Sequence, residues 1–467
     1  MRPSKFEWAV AVVLFLFLFV SWDFGDTTTI VGHVVDFADA IVHGEFGNFY
    51  QRAYDRAIEA QEHHVHNGRG RPAYDPIVNF VLGVWGLPLY FVGGLDYAGN
   101  FWKILYGKSF FFLAFVISAV LVYKIGRALG LSSHKSQWTA FIYFTSTMAW
   151  NSICLVGNID AICTALTLAG VLAYIRGQNG KCFVWFMLAF PFKQLAAFIY
   201  LPLLLLRDKN LFRDAAKLLC IALLNAATNI TILSCPGAAA FKNKFMFGML
   251  GRLVKNKIPL MSSEVSIFVI LYGLFCVYCW FRPEPDDEHE RNTSIIFTAM
   301  TSIAITLGCI QGAHPQWWLY LALCIMYYAR NTERLLLFET VGTLGLLGFN
   351  YLFYWWVYVP SNAKGMLLDI LTGGRETIPY DTVKAVFVSE ESVEVEKTAI
   401  QQAINGLKSS GGAVFVLCMI VIIFMLCWTK DADLDRDLNV RPYALSRLFV
   451  NACACYLPLA VFLRTIF

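Results

Sequence analysis

A polar segment follows the first apolar stretch of the chain, and this order constrains the fold more than any other feature. Residues 8–22 are almost entirely apolar, whereas Asp, Glu, Arg and His side chains recur through residues 23–76. Charged side chains at this density cannot lie in the hydrocarbon core of a bilayer. After Asp75-Pro76 the chain is again apolar for most of its length. We therefore interpret residues 23–76 as a folded insert outside the membrane, rather than as a connector.

The composition is that of an integral membrane protein. Hydrophobic residues make up 58% of the chain and charged residues 15%, whereas soluble proteins carry about 25% charged residues. The net charge of +4 is too small to indicate a nucleic-acid partner. The cysteines lie mostly in apolar stretches, so we interpret them as small buried hydrophobic residues. No metal site and no cofactor are predicted.

The arrangement of charges predicts an all-α polytopic membrane protein with about eleven transmembrane helices. Arg2 and Lys5 place the N-terminus inside and residues 23–76 outside, because basic residues favour the cytoplasmic side. Lys124 and Arg127 are then inside only if residues 77–104 do not cross, so a re-entrant or interfacial stretch is predicted there. The apolar windows are 7–22, 105–123, 138–155, 159–176, 212–233, 264–281, 294–311, 316–329, 335–357, 412–428 and 445–464.

A second re-entrant segment is predicted at residues 183–206. Basic residues flank it on both sides, so it must dip in and return, or form a broken pair of half-helices, with the break near Pro191 and Lys193. The chain is accordingly divided into four parts. These are a first span (1–22), an extracytoplasmic catalytic insert with an interfacial stretch (23–104), a transmembrane core (105–330), and a C-terminal region (331–467) with an outer loop at 358–411.

The insert contains the candidate catalytic residues Asp36 and Asp39, and His43 is a candidate for positioning the substrate. Asp36, Asp39 and His43 have the spacing i, i+3, i+7, which places them on one face of a helix. Glycines at 44 and 47 are expected to end that helix, and a second helix is expected from Phe49 to Glu62. A carboxylate held near a substrate hydroxyl can act as a general base. The alternative is an ordinary solvated face of an amphipathic helix.

Two turns contribute candidate substrate-positioning residues. Tyr74-Asp75-Pro76 closes the insert, and its proline favours an extended entry into the next helix. Asn158 and Asp160 lie in a tight Gly-Asn-Ile-Asp turn between two apolar windows. The alternatives are a simple helix start for the first turn and a helix N-cap for the second.

Several cations and polar residues are candidates for binding an anionic phosphate. Lys193-Gln194 lies inside an apolar stretch, where a lysine is costly and usually functional, although it could instead pair with a buried carboxylate. His314 lies at a predicted outer turn. The outer loop 235–262, which includes Lys242 and Arg252, mixes cations with apolar residues and resembles an interfacial amphipathic helix. General adhesion to membrane lipids is the alternative for this loop.

The order of these motifs resembles the GT-C superfamily of polytopic membrane glycosyltransferases. The resemblance rests on a first span, an acidic outer insert, Tyr-x-Pro, and then "YGKSFFFLAFVISAVLVYKIGR", "GNID", "FPFKQLAAFIYLPLLLL" and "HPQWWLYLAL", over roughly residues 7–330. It is similar in particular to bacterial polyprenyl-phosphate-mannose-dependent members and to the mannosyltransferase of GPI synthesis. The resemblance implies that Asp36 is the catalytic base, with Asp39 as the fallback. It also implies that His314 and Lys193 lie near the donor phosphate.

The resemblance implies a GT-C-like inverting transfer of mannose or another hexose or pentose. The donor is a polyprenyl-phosphate sugar, and the acceptor is lipid-linked or a glycan. The expected partners are membrane lipids, this donor and a glycan or glycolipid acceptor at the outer face. The lack of a convincing N-glycosylation sequon in the predicted outer loops favours a bacterial or archaeal cytoplasmic membrane. The sequence departs from the family at Asp75 and at Asn158-Ile159, so specificity does not transfer. A lipid transporter or flippase, and a non-catalytic subunit of a glycan machine, remain alternative interpretations.

Overall fold

The computed structural model describes residues 2–23, 25–62, 72, 74–94, 101–260, 263–310, 317, 319–320, 322–329, 334–341, 364–365 and 440–454. The helices there are α1 (Lys5–Ser21), α2 (Gly25–His43), α3 (Phe49–Glu62), α4 (Pro76–Gly93), α5 (Phe101–Ala128), α6 (Ser133–Phe144), α7 (Thr147–Trp150), α8 (Asp160–Ile175), α9 (Asn179–Ala189), α10 (Leu195–Arg207), α11 (Leu211–Leu233), α12 (Pro236–Val254), α13 (Ile267–Phe281), α14 (Glu288–Cys309), α15 (Ala322–Tyr328) and α16 (Arg441–Ala454). Short strands β1 (Trp22–Asp23) and β4 (Lys364–Gly365) pair antiparallel, as do β2 (Lys257–Leu260) and β3 (Ser263–Ser266).

The chain divides into two compact units, which are each discontinuous in sequence. The first comprises residues 1–25, 131–157 and 328–467. Aromatic side chains join its first helix to its middle segment: the Trp8 ring lies 4.8 Å from the Phe141 ring, and the Phe15 ring lies 5.5 Å from the Trp150 ring. The window predicted as one span at 138–155 is interrupted, because α6 ends at Phe144 before α7 and a π-helical segment begin.

The second unit comprises residues 26–130 and 158–327 and contains α2 to α5 and α8 to α14. Among its described residues, four helices are long and apolar enough to cross a membrane: Pro76–Gly93, Trp102–Ala128, Leu211–Leu233 and Glu288–Cys309. Asp160–Ile175, Leu195–Arg207 and Ile267–Phe281 are shorter apolar helices. The described part of the chain is therefore mostly helical with several candidate spans. The number eleven stays a prediction, since much of the C-terminal region lies outside the described residues.

The two helices predicted for the insert are present. α2 runs to His43, Gly44 follows it with a left-handed φ of +68°, and α3 occupies Phe49–Glu62. Phe37 of α2 contacts Phe49 of α3 with ring centroids 4.6 Å apart. α2 is longer than the acidic pattern alone indicated, since it begins at Gly25. Its described middle, residues 30–40, is buried, so the insert is a packed structure rather than a solvated helix.

Residues 76–93 form one continuous helix, so the chain does not turn back within them, and an interfacial position for this helix stays a prediction. The glycines interpreted as helix breakers serve close packing: a Cβ at Gly83 would lie 2.7 Å from the Phe37 side chain, and one at Gly86 would lie 2.3 Å from Val34. Small residues are needed there because α2 lies directly against α4. α4 is long enough to cross the membrane, so the sidedness deduced for Lys124 and Arg127 no longer follows from the charge rule alone.

The broken pair of half-helices predicted at 183–206 is present as α9 and α10. α9 ends at Ala189 and α10 begins at Leu195, so the break contains Pro191 and Lys193. The far ends of the two helices meet, because Arg207 Nη1 donates to Asn179 Oδ1 over 3.0 Å. Helices of 11 and 13 residues extend only about 17 and 20 Å. The segment is therefore a helical hairpin that places Lys193 at its tip.

Candidate functional site

A cluster of charged side chains, here called the carboxylate cluster, joins α2 to α3. Asp36 and Asp39 lie one turn apart on α2, and Arg52 and Arg56 lie one turn apart on α3, so the helices present matching pairs of charges. Arg56 Nη1 lies 2.5 Å from Asp36 Oδ1, and Arg52 Nη1 lies 3.1 Å from Asp39 Oδ2. Both carboxylates are almost fully buried. Buried carboxylates need such partners because an unpaired charge in an apolar environment is strongly unfavourable.

The two carboxylates differ in how they are held. Both oxygens of Asp39 are engaged, since His43 Nδ1 lies 3.1 Å from Oδ1 and Arg52 contacts Oδ2. Arg52 Nη1 also lies 3.0 Å from Glu45 Oε2, so this arginine sits between two acids. Among the described residues, Arg56 contacts no acid besides Asp36. The two arginines therefore differ in how many acids each one balances.

A second group of polar residues, here called the junction, gathers at the N-terminal ends of α4 and α8. The Tyr74 hydroxyl lies 3.4 Å from Asn158 Oδ1, which also accepts a hydrogen bond of 2.6 Å from the Ile159 backbone N–H. Asp75 follows Tyr74 at the N-cap of α4. The two turns identified from the sequence are therefore neighbours, although 84 residues separate Tyr74 from Asn158.

Lys242 joins α12 to the junction. The sequence had predicted this lysine on an interfacial helix instead. Its ammonium group bonds the Asp75 carboxylate and the Asn229 side-chain oxygen, and it is almost fully buried. Burial lowers the pKa of Lys242 below its usual value, and the neighbouring Asp75 opposes that shift. The expectation of an exposed phosphate-binding lysine on an interfacial helix is therefore not met, because its charge is already balanced inside the protein.

The tip of the α9–α10 hairpin contributes a further ion pair. Lys193 Nζ lies 3.4 Å from Asp160 Oδ2 and 5.3 Å from the centre of the Trp317 ring. Asp160 is the first residue of α8, where the positive end of the helix dipole favours a carboxylate. Among the described residues, nothing hydrogen-bonds its other oxygen, Oδ1. The pairing of Lys193 with a buried carboxylate was the alternative that the sequence left open.

Tyr50 of α3 connects the carboxylate cluster to the junction. Its hydroxyl donates to the Tyr74 carbonyl oxygen over 2.6 Å and accepts from Asn79 Nδ2 over 2.8 Å. Burial raises the pKa of Tyr50 well above its usual value, so the hydroxyl stays a donor at physiological pH. α3 therefore holds Asp36 through Arg56 on one side and fixes the Tyr74 backbone on the other.

Two candidate residues within the described ranges, Gln194 and Arg252, do not join these groups. His314 lies outside the described residues. Gln194 is half-buried at the N-terminal end of α10, where its backbone carbonyl accepts from Ala197. Arg252 is exposed near the end of α12. It lies ten residues after the buried Lys242, about 15 Å along the helix, so these two cations are not brought together.

Several residues of the site were not among the sequence candidates. They are Tyr50, Arg52, Arg56, Asn79 and Asn229. The arginines carried a usable signal, since their i, i+4 spacing on the predicted α3 matches the i, i+3 spacing of the acids on α2. Tyr50, Asn79 and Asn229 carried none, because their partners are distant in sequence and are brought close by helix packing.

In the described ranges, no cluster of three or more His, Cys, Asp or Glu side chains is arranged to hold a metal ion. The prediction of a metal-independent reaction stays a prediction. Within these ranges the chemically distinctive features are the carboxylate cluster and the junction.

Comparisons with known proteins add little to this geometry. No family model matches the chain, and no curated protein matches it. Among solved structures, ArnT from Cupriavidus metallidurans in the apo state is similar at 11% sequence identity and a TM-score of 0.44, over 98% of this chain and 76% of that chain. Both values are too low to carry an argument about fold or function, so the residues themselves must carry it.

Proposed function

We propose that this protein is an inverting, metal-independent glycosyltransferase of the GT-C type. It moves a sugar, mannose or another hexose or pentose, from a polyprenyl-phosphate donor to a lipid-linked or glycan acceptor. The observation that carries the proposal is the buried carboxylate pair on α2, in which Asp36 and Asp39 are held by two different arginines of α3. The proposed setting is the outer face of a bacterial or archaeal cytoplasmic membrane.

In this mechanism Asp36 is the general base. It accepts the proton of the acceptor hydroxyl as that oxygen attacks the anomeric carbon of the donor. The bond from that carbon to the phosphate oxygen breaks, and its electron pair stays with the phosphate. Because the departing phosphate is stable as an anion, it needs positive charge nearby and no general acid. No cofactor is required.

The junction is proposed to position the substrates. The Tyr74 hydroxyl and the Asn158 amide are groups that can hydrogen-bond sugar hydroxyls, and their mutual distance of 3.4 Å is long for a hydroxyl hydrogen bond. Lys193 stands beside the N-terminal end of α10, an environment that favours an anion. Lys193 and His314 are therefore candidates for contacting the donor phosphate, while Asp160 keeps Lys193 at the hairpin tip.

The test is sugar transfer by the purified full chain in nanodiscs. Radiolabelled polyprenyl-phosphate mannose, followed by other polyprenyl-phosphate sugars, is supplied with a panel of lipid-linked acceptors, and Asp36→Asn is the matched control. Product from the unaltered protein alone supports both the reaction class and the base. Equal turnover by the Asp36→Asn protein would remove Asp36 from that role.

A lipid transporter remains the second candidate because the α9–α10 hairpin with a charged tip also occurs in transporter architectures. The two functions are distinguished by repeating the donor assay with the same protein reconstituted in sealed vesicles. A transporter moves the labelled lipid between leaflets and leaves its sugar attached. A transferase consumes the donor and releases polyprenyl phosphate. If the protein shows neither transport nor transfer, a non-catalytic subunit is favoured.

A further inference from the structure

Arg56 has more hydrogen-bonding capacity than its one partner among the described residues uses. Its Nη1 lies 2.5 Å from Asp36 Oδ1, and a guanidinium carries five N–H donors in a planar fork. Across the described part of the chain, Asp36 is the one side chain with which Arg56 pairs. The Arg56 side chain is 25% exposed, whereas Asp36 is 4% exposed. The guanidinium therefore faces the base with one edge and has donors left for a ligand.

Arg52 provides an internal comparison, because it lies on the same helix one turn earlier. Its Nη1 is shared between Asp39 and Glu45, and Asp39 is also contacted by His43. If Asp39 lost its charge, Glu45 would still balance Arg52. If Asp36 lost its charge, Arg56 would have no other acid beside it among the described residues. Of these two described arginines, Arg56 is therefore the one whose charge balance depends on the protonation of a single carboxylate.

The proposed reaction moves one negative charge away from Asp36, and this argument rests on that proposed function. Asp36 becomes neutral when it takes the proton of the acceptor hydroxyl. At the same time the bond between the anomeric carbon and the phosphate oxygen breaks, and the phosphate gains one negative charge. The net charge is unchanged, but its position shifts from the carboxylate to the leaving group. A cation already beside the base loses its counter-charge while a new anion forms.

One guanidinium is wide enough to contact both the base and the leaving phosphate in such a reaction. The base oxygen lies about 2.8 Å from the attacking oxygen, and that oxygen lies about 3–3.5 Å from the anomeric carbon at the start of the attack. The leaving oxygen follows one bond further on. A planar guanidinium with a hydrogen bond of about 2.9 Å at each edge covers a similar distance. The fork geometry also matches two oxygens of a phosphate.

We propose that Arg56 is a catalytic residue that binds the phosphate of the donor and stabilises the departing polyprenyl phosphate. In the resting protein Arg56 balances the charge of Asp36. During transfer it balances the charge that develops on the leaving phosphate. Asp36 and Arg56 thus act as one unit, whereas Arg52 serves to hold Asp39 in place. Lys193 and His314 are not needed for this role, although they can add to it.

The test measures binding of polyprenyl phosphate without a sugar, so it does not depend on turnover. A short-chain polyprenyl phosphate is titrated into the full chain in phosphatidylcholine nanodiscs, and Kd is compared for the unaltered protein, Arg56→Met and the matched control Arg52→Met. We expect Arg56→Met to weaken binding about tenfold to a hundredfold, the range for loss of a charge-assisted hydrogen bond. Arg52→Met should stay within about threefold.

Chemical rescue supplies a second measurement. Guanidinium ions at millimolar concentration are expected to restore part of the sugar transfer that is lost in Arg56→Ala. They should not restore activity that is lost in Arg52→Ala. If Arg56→Met does not fold, as judged by size-exclusion chromatography and thermal unfolding, Arg56→Gln replaces it, since glutamine can still donate to Asp36.

The outcomes separate the two proposals. Unaltered protein that transfers sugar and binds polyprenyl phosphate, with equal affinity in Arg56→Met, overturns the role of Arg56 and leaves the proposed function standing. Equal weakening in the Arg56 and Arg52 variants also overturns it, because the effect is then general electrostatics. Unaltered protein that neither transfers sugar nor binds polyprenyl phosphate contradicts the proposed function itself.

Discussion

Each compact unit contains a buried carboxylate paired with an arginine, and the two pairs are built differently. In the first unit, Arg447 pairs with Glu339, and both side chains are 4% exposed. Arg447 also donates to the Ile142 carbonyl oxygen over 2.7 Å and to the Tyr443 hydroxyl over 2.9 Å. In the second unit, Arg56 is a quarter exposed and pairs with Asp36 alone in the described residues.

We propose that the pair in the first unit is structural and that the pair in the second unit is available for chemistry. Arg447 is enclosed, and its donors contact Tyr443 on its own helix and two groups from other segments, Glu339 and the Ile142 carbonyl, so it connects α16 to those segments. Arg56 is anchored at one edge and accessible at another. A buried pair is not strong evidence for stability in itself, so the satisfaction and exposure of the cation distinguish the two roles. The following predictions test that distinction.

Replacement of the carboxylate in the accessible pair should have the largest effect. Asp36→Asn keeps the shape of the side chain but removes the base, so transfer should fall about 10²–10⁴-fold. The unfolding midpoint should change little, because Asn can still accept from Arg56. The measurement is initial transfer rate beside thermal unfolding in nanodiscs. A large loss of stability with normal turnover of the folded fraction would show that this pair is structural too.

The enclosed pair should show the opposite behaviour. Arg447→Met leaves Glu339 as an unpaired buried charge, which costs about 3–5 kcal/mol of unfolding free energy. The double variant Arg447→Met with Glu339→Gln should recover part of that stability, because no uncompensated charge remains. Denaturant unfolding in detergent measures both. If Arg447→Met instead lowered turnover at normal stability, the distinction between the pairs would fail.

The Asp160–Lys193 pair should lie between these extremes. It is buried on the Asp160 side, but its 3.4 Å contact is long and Lys193 is 18% exposed. A double-mutant cycle with Asp160→Asn and Lys193→Met should give a coupling free energy of about 0.5–3 kcal/mol. Each single variant should also raise the Km for the donor if Lys193 contacts its phosphate. Additive effects on stability would indicate that the two charges do not interact.

Loss of the connection between α3 and α4 should have a moderate effect. Tyr50→Phe removes the donor to the Tyr74 carbonyl and the acceptor for Asn79, so we expect a stability loss of about 1–3 kcal/mol. Because Tyr50 and Asn79 share one network, Asn79→Ala should add less to Tyr50→Phe than it costs alone. Thermal unfolding of the three variants checks this. Full additivity would contradict a shared network.

The smallest effect concerns pH. The pKa of Lys242 is lower in the folded protein than its usual value of 10.5, so the unfolded chain binds more protons than the native state between the two values. Stability therefore gains a contribution that rises with pH within that window, as the buried lysine becomes neutral. The slope between pH 8 and 11 should be smaller in Lys242→Met than in the unaltered protein. Identical slopes would contradict the burial of its charge.

Local pattern was a good guide where neighbours in sequence decide the structure. The spacing of Asp36, Asp39 and His43 predicted α2, and a second helix was predicted from Phe49 to Glu62, where α3 lies. Pro191 and Lys193 marked the tip of the α9–α10 hairpin, because a proline and a charge both disfavour a continuous apolar helix. These features depend on side chains within one or two helical turns.

The same local rules failed where a distant partner takes part. Gly83 and Gly86 resemble helix breakers, yet they lie inside α4, where they make room for α2. Lys242 resembles an interfacial cation, yet Asp75 and Asn229 hold it in the interior. In both cases the deciding contact joins residues from different helices, and periodicity contains no information about such contacts.

The sequence by itself determined that this chain is helical and apolar, that an acidic insert interrupts it early, and which carboxylates could act as bases. Composition and short-range spacing fix these properties, because hydrophobicity and helical geometry act within a few residues. The tertiary structure decided that Asp36 is paired with Arg56, that Asp39 is enclosed by Arg52 and His43, and that Tyr74 meets Asn158. Ion pairs and hydrogen bonds act over about 3 Å, so only the packing of helices from distant parts of the chain could select these partners.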